Sequence, residues 1–203
     1  MGKNHANVDP YVVSRVRALE SLLLEKGILA RDAVDRVVER YESDTGPMVG
    51  ARAVARAWTD PGYRSLLLED AKAALASFGL DYAMLVVVEN TPDVHNLVVC
   101  TLCSCYPWPV LGLPPTWYKM PAYRSRAVSE PRKLLGELGL HVPSSRELRV
   151  WDSSAEMRYM VLPQRPAGTE RLGETDLVPL VTRDALIGVA EVSPPGIAKR
   201  PNR

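Results

Sequence analysis

Hydrophobic residues change their spacing along the chain near Gly79. Before this glycine they recur every three or four positions, which is the period of amphipathic helices. The first stretch begins at Pro10 and ends near Gly27, a residue type favoured at helix C-caps. Its apolar positions are Val13, Val16, Leu19, Leu22 and Leu23. A second stretch carries Val34, Val37, Val38 and Tyr41, and a third runs from Val49 to Trp58.

A further helix is predicted to begin behind Asp60. An aspartate can cap a helix N-terminus, and Pro61 suits the first helical position. We expect this helix to continue unbroken to Gly79. Its buried face is predicted to contain Leu66, Leu67, Ala71, Leu75 and Phe78. The N-terminal part of the chain is therefore expected to be helical.

Short β-branched runs follow Gly79 and predict buried strands. Residues 84–88 and 97–99 form the first two runs, with a turn between them that contains Asn90, Pro92 and Asp93. Residues 148–151 and 157–162 are predicted to form two more. We also expect a short helix at residues 130–138 and a further strand at residues 181–189 around Gly188.

The predicted fold class is α+β: an N-terminal helical arm followed by a mixed α/β domain that carries a cysteine loop. We place the arm at residues 1–45, the domain at residues 46–192 and a flexible tail at residues 193–203, which are basic and rich in proline. The arm helices have narrow apolar stripes. They either pack on another subunit or form a local helical hairpin, and the pattern leaves both alternatives open.

Composition removes several classes of function. The 203 residues are 46% hydrophobic and 24% charged, with a formal net charge of +1, so there is no electrostatic reason to expect nucleic acid or an anionic membrane as a partner. No apolar run approaches the length of a membrane span. The N-terminus shows no apolar stretch behind a basic region, so no signal peptide is visible. We therefore expect a cytoplasmic protein.

The three cysteines of the chain, Cys100, Cys103 and Cys105, lie within six residues of one another. Thiols this close in sequence cannot form long-range disulfides, and they indicate metal or redox chemistry. A C-x-x-C-x-C loop that leaves a strand can turn three sulfurs toward one point, and thiolates bind soft or borderline metals strongly. The amide nitrogens of Ser104 and Cys105 could join the sulfurs, if a strongly Lewis-acidic ion supports their deprotonation.

The residues alone leave three interpretations of this loop open. The first is a catalytic or redox metal site. The second is structural zinc, which normally takes four cysteine or histidine ligands and would need a fourth ligand from elsewhere. The third is a set of free thiols. An iron–sulfur cluster would require a fourth cysteine, which the chain does not have.

The segment from Val99 to Pro115, VCTLCSCYPWPVLGLPP, strongly resembles the metal-binding segment of the nitrile hydratase α subunit. The likeness covers residues from about 10 to 190. Further matching segments are residues 15–23, 56–61, 88–91, 123–126, 150–154 and 161–169. The cysteine motif is specific, and together with the flanking segments it identifies the chain as a member of this family.

The resemblance implies a cobalt(III) site, or less readily an iron(III) site, held by Cys100, Cys103, Cys105 and the amides of Ser104 and Cys105. Cobalt members of the family have threonine after the first cysteine and iron members have serine, so Thr101 indicates cobalt. The family oxidises the middle cysteine to sulfinate and the last to sulfenate, which here would be Cys103 and Cys105. An open coordination position would polarise the nitrile, and either the Cys105 sulfenate oxygen or an activated water would attack it.

Other site residues follow from the same resemblance. A family segment that surrounds the metal loop is matched here by Asp152, Glu156 and Arg158. Together with Cys105, these residues form the predicted catalytic set. The alternative is that the three belong to an ordinary surface ion pair. Tyr106 and Trp108 are expected to border the pocket or to belong to the core. His95 matches the first of two adjacent histidines, but Asn96 replaces the second. A proton-relay role for His95 therefore competes with a packing role.

The resemblance implies the catalytic α subunit of a cobalt nitrile hydratase, a hydro-lyase that converts a nitrile and water to the primary amide. It also implies a β-type subunit in an αβ or (αβ)2 enzyme and an activator, or metallochaperone, that inserts cobalt. The alternatives are the γ subunit of thiocyanate hydrolase and a non-catalytic, thiolate-based metal carrier.

Overall fold

The computed structural model describes residues 10–30, 32–33, 35–36, 47–103 and 105–195, apart from the side chains of residues 47 and 48. The apolar positions of the predicted second helix, Val34, Val37, Val38 and Tyr41, lie outside the described residues. Within the described part of the chain, no helix is both long enough and apolar enough to cross a membrane.

Four helices with described bounds precede the first strand. They are α1 (Pro10–Glu25), α2 (Pro47–Thr59), α3 (Pro61–Glu69) and α4 (Ala71–Ala76). The Asp60 side chain caps α3 by accepting a hydrogen bond from the Tyr63 amide at 3.0 Å, as predicted. The prediction of one unbroken helix to Gly79 was wrong. Asp70 leaves the helical conformation and caps α4 through the Ala73 amide at 3.0 Å, so an internal aspartate divides the segment in two.

The four predicted strands of the central region are present as β1 (Leu85–Glu89), β2 (Val94–Val99), β3 (Glu147–Asp152) and β4 (Arg158–Leu162). Their pairing is parallel: β1 lies beside β4 and β2 lies beside β3. Each strand is thus hydrogen-bonded to a partner distant in sequence. Because parallel strands end at the same edge, the residues that follow β2 and β3 come together.

The crossover from β2 to β3 contains α5 (Trp108–Leu111), a 3₁₀ turn at Thr116–Lys119, α6 (Pro121–Ser129) and α7 (Pro131–Glu137). After β4 come α8 (Glu174–Leu177), a 3₁₀ turn at Val178–Leu180 and α9 (Arg183–Ile187). The strand predicted at residues 181–189 was wrong, because α9 occupies this segment. Thr182 caps its N-terminus, and Gly188 ends it in the left-handed conformation.

Gly188 closes the C-terminal region onto β2. A Cβ at this position would lie 1.9 Å from the carbonyl oxygen of Asn96, so only glycine permits the contact. The strand itself is buried from His95 to Val99. The core therefore extends from α2 and α4 through the strands to α9. It fixes the end of β2, from which the cysteine loop leaves.

Helix α1 differs from the other long helices because none of its residues is buried. Its exposed apolar side chains include Val16 at 57%, Leu19 at 58% and Leu22 at 50%. The predicted division into an arm, a domain and a tail stays a prediction. Much of residues 1–45, and residues 196–203 of the tail, lie outside the described part of the chain.

Candidate metal centre

The cysteine loop begins where β2 ends. Val99, the last residue of β2, lies opposite Asp152, the last residue of β3, and the Ser153 amide donates to the Val99 carbonyl at 2.7 Å. Cys100 directly follows and is fully buried, whereas Cys105 is half-buried and Cys103 is exposed. The loop therefore emerges from the core beside an acidic side chain. Ser104, the fourth predicted ligand residue, lies outside the described residues.

The three sulfurs form a compact cluster. All of them lie within 4.8 Å of one another, with Cys100 Sγ 3.5 Å from Cys103 Sγ and Cys103 Sγ 3.1 Å from Cys105 Sγ. Among the described residues, no histidine nitrogen or carboxylate oxygen joins this cluster. The donor set therefore fits a soft or borderline metal ion, and the described residues offer no fourth ligand for tetrahedral zinc.

The sulfur spacing distinguishes two coordination geometries. With metal–sulfur bonds of about 2.3 Å, two sulfurs at a right angle lie about 3.3 Å apart, whereas two sulfurs at a tetrahedral angle lie about 3.8 Å apart. The 3.1 Å between Cys103 Sγ and Cys105 Sγ is close to the right-angle value, and the 3.5 Å between Cys100 Sγ and Cys103 Sγ lies midway between the two values. The spacing of Cys103 and Cys105 thus suits adjacent positions of a square-planar or octahedral ion.

Asp152 holds the beginning of the loop. Its carboxylate accepts a hydrogen bond from the Thr101 amide at 2.9 Å and a second, shorter one from the Thr101 hydroxyl. The parallel register of β2 and β3 brings the carboxylate to this position. The structure therefore places this predicted site residue in direct contact with the loop, next to Cys100.

Glu156 lies on the turn between β3 and β4, whereas Arg158 is the first residue of β4, and their side chains differ in their surroundings. Arg158 donates to the Ser154 carbonyl, and its charge lies near enough to Cys105 to favour the thiolate. The Glu156 side chain is exposed and makes no hydrogen bond or ion pair within the described part of the chain. The structure thus brings the charge of Arg158 near Cys105, whereas it gives the Glu156 side chain no hydrogen bond or ion pair with the described part of the loop.

Burial raises the pKa of the Cys105 thiol to about 12, with further contributions from the hydrogen bond to Cys103 and from Cys100. The charge of Arg158 acts in the opposite direction. Without a nearby cation the Cys105 thiol therefore resists ionisation. A bound metal ion removes this resistance because it supplies positive charge to the thiolates.

Two further residues contact the loop, and the sequence pattern predicts no role for either. Tyr118 is fully buried and donates from its hydroxyl to the Cys105 carbonyl at 3.0 Å. Arg124, on α6, donates from Nη1 to the Cys103 carbonyl at 2.7 Å. Arg124 belongs to a segment that carries the family likeness, but its sequence position does not reveal a partner 21 residues away.

The aromatic residues that follow the cysteines have different environments. Tyr106 is buried, and its ring packs on Tyr118 with a centroid distance of 5.1 Å. Trp108 is 37% exposed and lies beneath the Lys119 ammonium, which is 5.3 Å from the ring centroid. Tyr106 therefore belongs to the core, whereas Trp108 is accessible to a ligand or a partner.

His95 is turned into the fold. It is fully buried, with Nε2 2.8 Å from the Gly188 carbonyl and Nδ1 3.4 Å from the side-chain amide of Asn90. Asn96 is also buried, and its amide group donates to the Glu89 carbonyl and accepts from the Trp151 indole. These contacts favour a packing role for the pair.

Comparison with known proteins identifies the family. Residues 11–190 match the family described as nitrile hydratase, alpha chain. The chain is 54% identical over 190 residues to the low-molecular-weight cobalt-containing nitrile hydratase subunit alpha of Rhodococcus rhodochrous, covering 92% of each chain. It is 44% identical over 201 residues to thiocyanate hydrolase subunit gamma of Thiobacillus thioparus, covering 91% of this chain and 82% of the relative.

A solved structure supports the same assignment. A double mutant of the Fe-type nitrile hydratase of Comamonas testosteroni Ni1 superposes with a TM-score of 0.86 at 41% identity, covering 97% of this chain and 98% of the other. The chain belongs to the nitrile hydratase α-chain family. The predicted family, fold class and enzyme class, a nitrile hydratase α subunit, are confirmed. The lower identity to the thiocyanate hydrolase subunit makes that alternative the weaker one.

Proposed function

We propose that this chain binds cobalt and carries the catalytic centre of a nitrile hydratase, which converts a nitrile and water to the primary amide. The observation that carries the proposal is the group of three cysteine sulfurs within 4.8 Å at the carboxyl end of β2. The 3.1 Å between Cys103 Sγ and Cys105 Sγ suits adjacent positions of an octahedral or square-planar ion, and the same cysteines define the motif that resembles the family.

Cobalt is proposed as the metal for two reasons. Thr101 follows the first cysteine, as in cobalt members of the family, and a relative with 54% identity is named cobalt-containing. Cys100, Cys103 and Cys105 would hold the ion through sulfur, and Ser104 and Cys105 through their amides. Bound there, the trivalent ion would supply the Lewis acidity that polarises a nitrile.

The side chains around the loop have separate tasks in this proposal. Asp152 fixes the backbone at Thr101 and so orients the ligand that precedes it. Arg158 directs positive charge toward Cys105 and opposes the repulsion that accompanies ionisation of clustered thiols. Glu156, whose exposed side chain has no hydrogen bond or ion pair within the described part of the chain, stays a predicted member of the catalytic set.

The oxidised forms of the cysteines are part of the proposal by family resemblance. Cys103 would be a sulfinate and Cys105 a sulfenate. Both are less buried than Cys100, which makes them the more accessible of the three to an oxidant. The attacking group is either the Cys105 sulfenate oxygen or a water molecule, and both alternatives stay open.

We further propose that the chain functions with a β-type subunit, in an αβ or (αβ)2 enzyme, after an activator protein has delivered cobalt. Two exposed apolar features support the β-type partner. Helix α1 buries none of its residues, and Leu102, between the first two cysteines, is 89% exposed. An apolar side chain this exposed beside a catalytic loop is better accommodated in an interface between subunits. A cytoplasmic location stays a prediction.

Substitution of the cysteines tests the proposed centre. Cys103→Ser and Cys105→Ser should each abolish nitrile hydration and most cobalt binding, since each removes a sulfur ligand. The measurement compares amide formation and cobalt content of each variant with the unchanged enzyme, expressed with its partner subunit. Circular dichroism verifies the fold of each variant. Substantial hydration by either variant would contradict the assignment.

A further inference from the structure

Arg124 reaches the cysteine loop from helix α6. Its Nη1 atom donates to the Cys103 carbonyl at 2.7 Å and lies 3.5 Å from the Thr101 carbonyl. The Nε atom is buried and has no hydrogen-bond partner. No carboxylate among the described residues forms an ion pair with this guanidinium group. Its charge is therefore directed at the loop backbone without local neutralisation.

The Cys103 carbonyl oxygen is covalently linked to one of the proposed metal ligands. This oxygen belongs to the same peptide group as the amide nitrogen of Ser104. If that nitrogen binds a metal ion, the peptide group carries a negative charge, and resonance shares the charge between nitrogen and oxygen. The atom that receives the hydrogen bond from Arg124 is thus the atom on which this charge would appear.

We propose that Arg124 is a positioning residue for the metal centre, and that it stabilises the Cys103–Ser104 peptide in its metal-bound, negatively charged form. This inference rests on the proposed function. Thiolates and amide ligands together carry more negative charge than a trivalent ion can neutralise. A guanidinium that donates to the charged peptide group offsets part of this excess, because hydrogen bonds to ionised groups are stronger than neutral ones.

A neighbouring arginine on the same helix provides the contrast. Arg126 donates to Glu130 at 2.5 Å and to Glu137 at 2.7 Å, so its charge is neutralised by carboxylates. The two arginines are two positions apart on α6 and have different partners. Removing the charge of Arg124 should affect the metal centre, whereas removing the charge of Arg126 should affect only the packing of α6 on α7.

The test separates amide ligation from thiolate ligation by using two metal ions. Cobalt in the proposed centre binds thiolates and backbone amides, whereas zinc binds thiolates without deprotonating an amide. The full chain is expressed with its partner subunit in medium that contains cobalt or zinc. The unchanged chain, Arg124→Gln, Arg124→Lys and the control Arg126→Gln are compared by metal content per chain and by the charge-transfer absorption of cobalt.

Arg124→Gln keeps a hydrogen-bond donor but loses the charge. We expect its cobalt content to fall about tenfold or more, with a shifted charge-transfer band in the cobalt that remains, while zinc content stays near that of the unchanged chain. Arg124→Lys keeps the charge and should recover most of the cobalt. Arg126→Gln should retain both metals and an unchanged spectrum.

Three results would overturn the inference. The first is an Arg124→Gln variant with unchanged cobalt content and spectrum. The second is an equal loss of zinc and cobalt in that variant. The third is an Arg124→Lys variant that loses as much cobalt as Arg124→Gln. The second result would mean that Arg124 only maintains the loop conformation. If Arg124→Gln does not fold, the lysine variant and Arg126→Gln decide the question by their cobalt contents. Absence of cobalt from the unchanged chain would instead refute the proposed function.

Discussion

The contact between Asp152 and Thr101 gives the sharpest prediction about how the fold holds the cysteine loop. The carboxylate accepts two hydrogen bonds, from the amide at 2.9 Å and from the hydroxyl of the same residue. Asp152→Ala removes both bonds. Asp152→Asn keeps one acceptor oxygen but removes the charge. Both variants should loosen the loop at the residue after Cys100.

The magnitude follows from the number and kind of bonds. A hydrogen bond to a charged group contributes about 1.5–3 kcal/mol, and the exposure of Asp152 places each bond at the lower end. We expect Asp152→Ala to cost about 3 kcal/mol of loop stability and Asp152→Asn about half of that. Since 1.4 kcal/mol is a tenfold change, local opening of the loop should increase by about tenfold in Asp152→Asn and by about a hundredfold in Asp152→Ala.

The assay measures cobalt content, nitrile hydration and the free energy of unfolding of each variant. Activity and cobalt content should fall in the order unchanged, Asp152→Asn, Asp152→Ala. Thr101→Val, which keeps the amide bond but loses the hydroxyl bond, should resemble Asp152→Asn. In a double variant with substitutions at both Asp152 and Thr101, the losses of activity and cobalt content should be smaller than the sum of the single losses, because the two residues share one contact.

Asp176→Asn is a suitable control, because this carboxylate is exposed on α8 and distant in sequence from the loop. It should change neither cobalt content nor activity. The reasoning would be refuted if Asp152→Ala retained the cobalt content and activity of the unchanged enzyme. Strictly additive losses in the double variant would also contradict the direct contact.

Three further predictions concern other parts of the chain. Arg158→Ala should lower hydration activity by more than its effect on the free energy of unfolding accounts for. A loss of activity fully explained by the loss of stability would indicate an ordinary surface contact. Helix α1 (Pro10–Glu25) should exchange its amide hydrogens quickly in the isolated chain and slowly in complex with a β-type subunit. The reason is that burial of each exposed apolar side chain contributes roughly 1.5–3 kcal/mol. Equal protection of α1 in both states would contradict this prediction. Burial lowers the pKa of His95, so the unfolded chain takes up a proton first and stability should decrease as pH falls below about 6.5. His95→Gln should reduce this pH dependence in chemical unfolding, and an unchanged slope would show that His95 does not cause it.

The predictable part of the site depends on local sequence. The C-x-x-C-x-C spacing predicted a three-sulfur cluster, and the β-branched run before Cys100 placed this cluster at the end of a strand. Both features are local, because a strand needs only its own residue types and the cysteines are close in sequence. Helix capping by Asp60 was predictable for the same reason.

The parts that escaped prediction depend on distant contacts. Short turns separate β1 from β2 and β3 from β4, which favours pairing of neighbours, yet the strands pair as β1 with β4 and β2 with β3. Local spacing carries no information about this crossover. The strand predicted around Gly188 failed because its apolar residues suit a buried helix equally well. The contact of Arg124 with the loop likewise requires the tertiary structure.

The central claim is that the three cysteines hold a trivalent cobalt ion in oxidised form. Intact mass measured together with metal analysis of the purified enzyme tests it most directly. We predict about one cobalt per chain and an added mass of about three oxygen atoms, two on Cys103 and one on Cys105. Exchangeable divalent metal bound to an unmodified chain would contradict the claim and indicate a metal carrier.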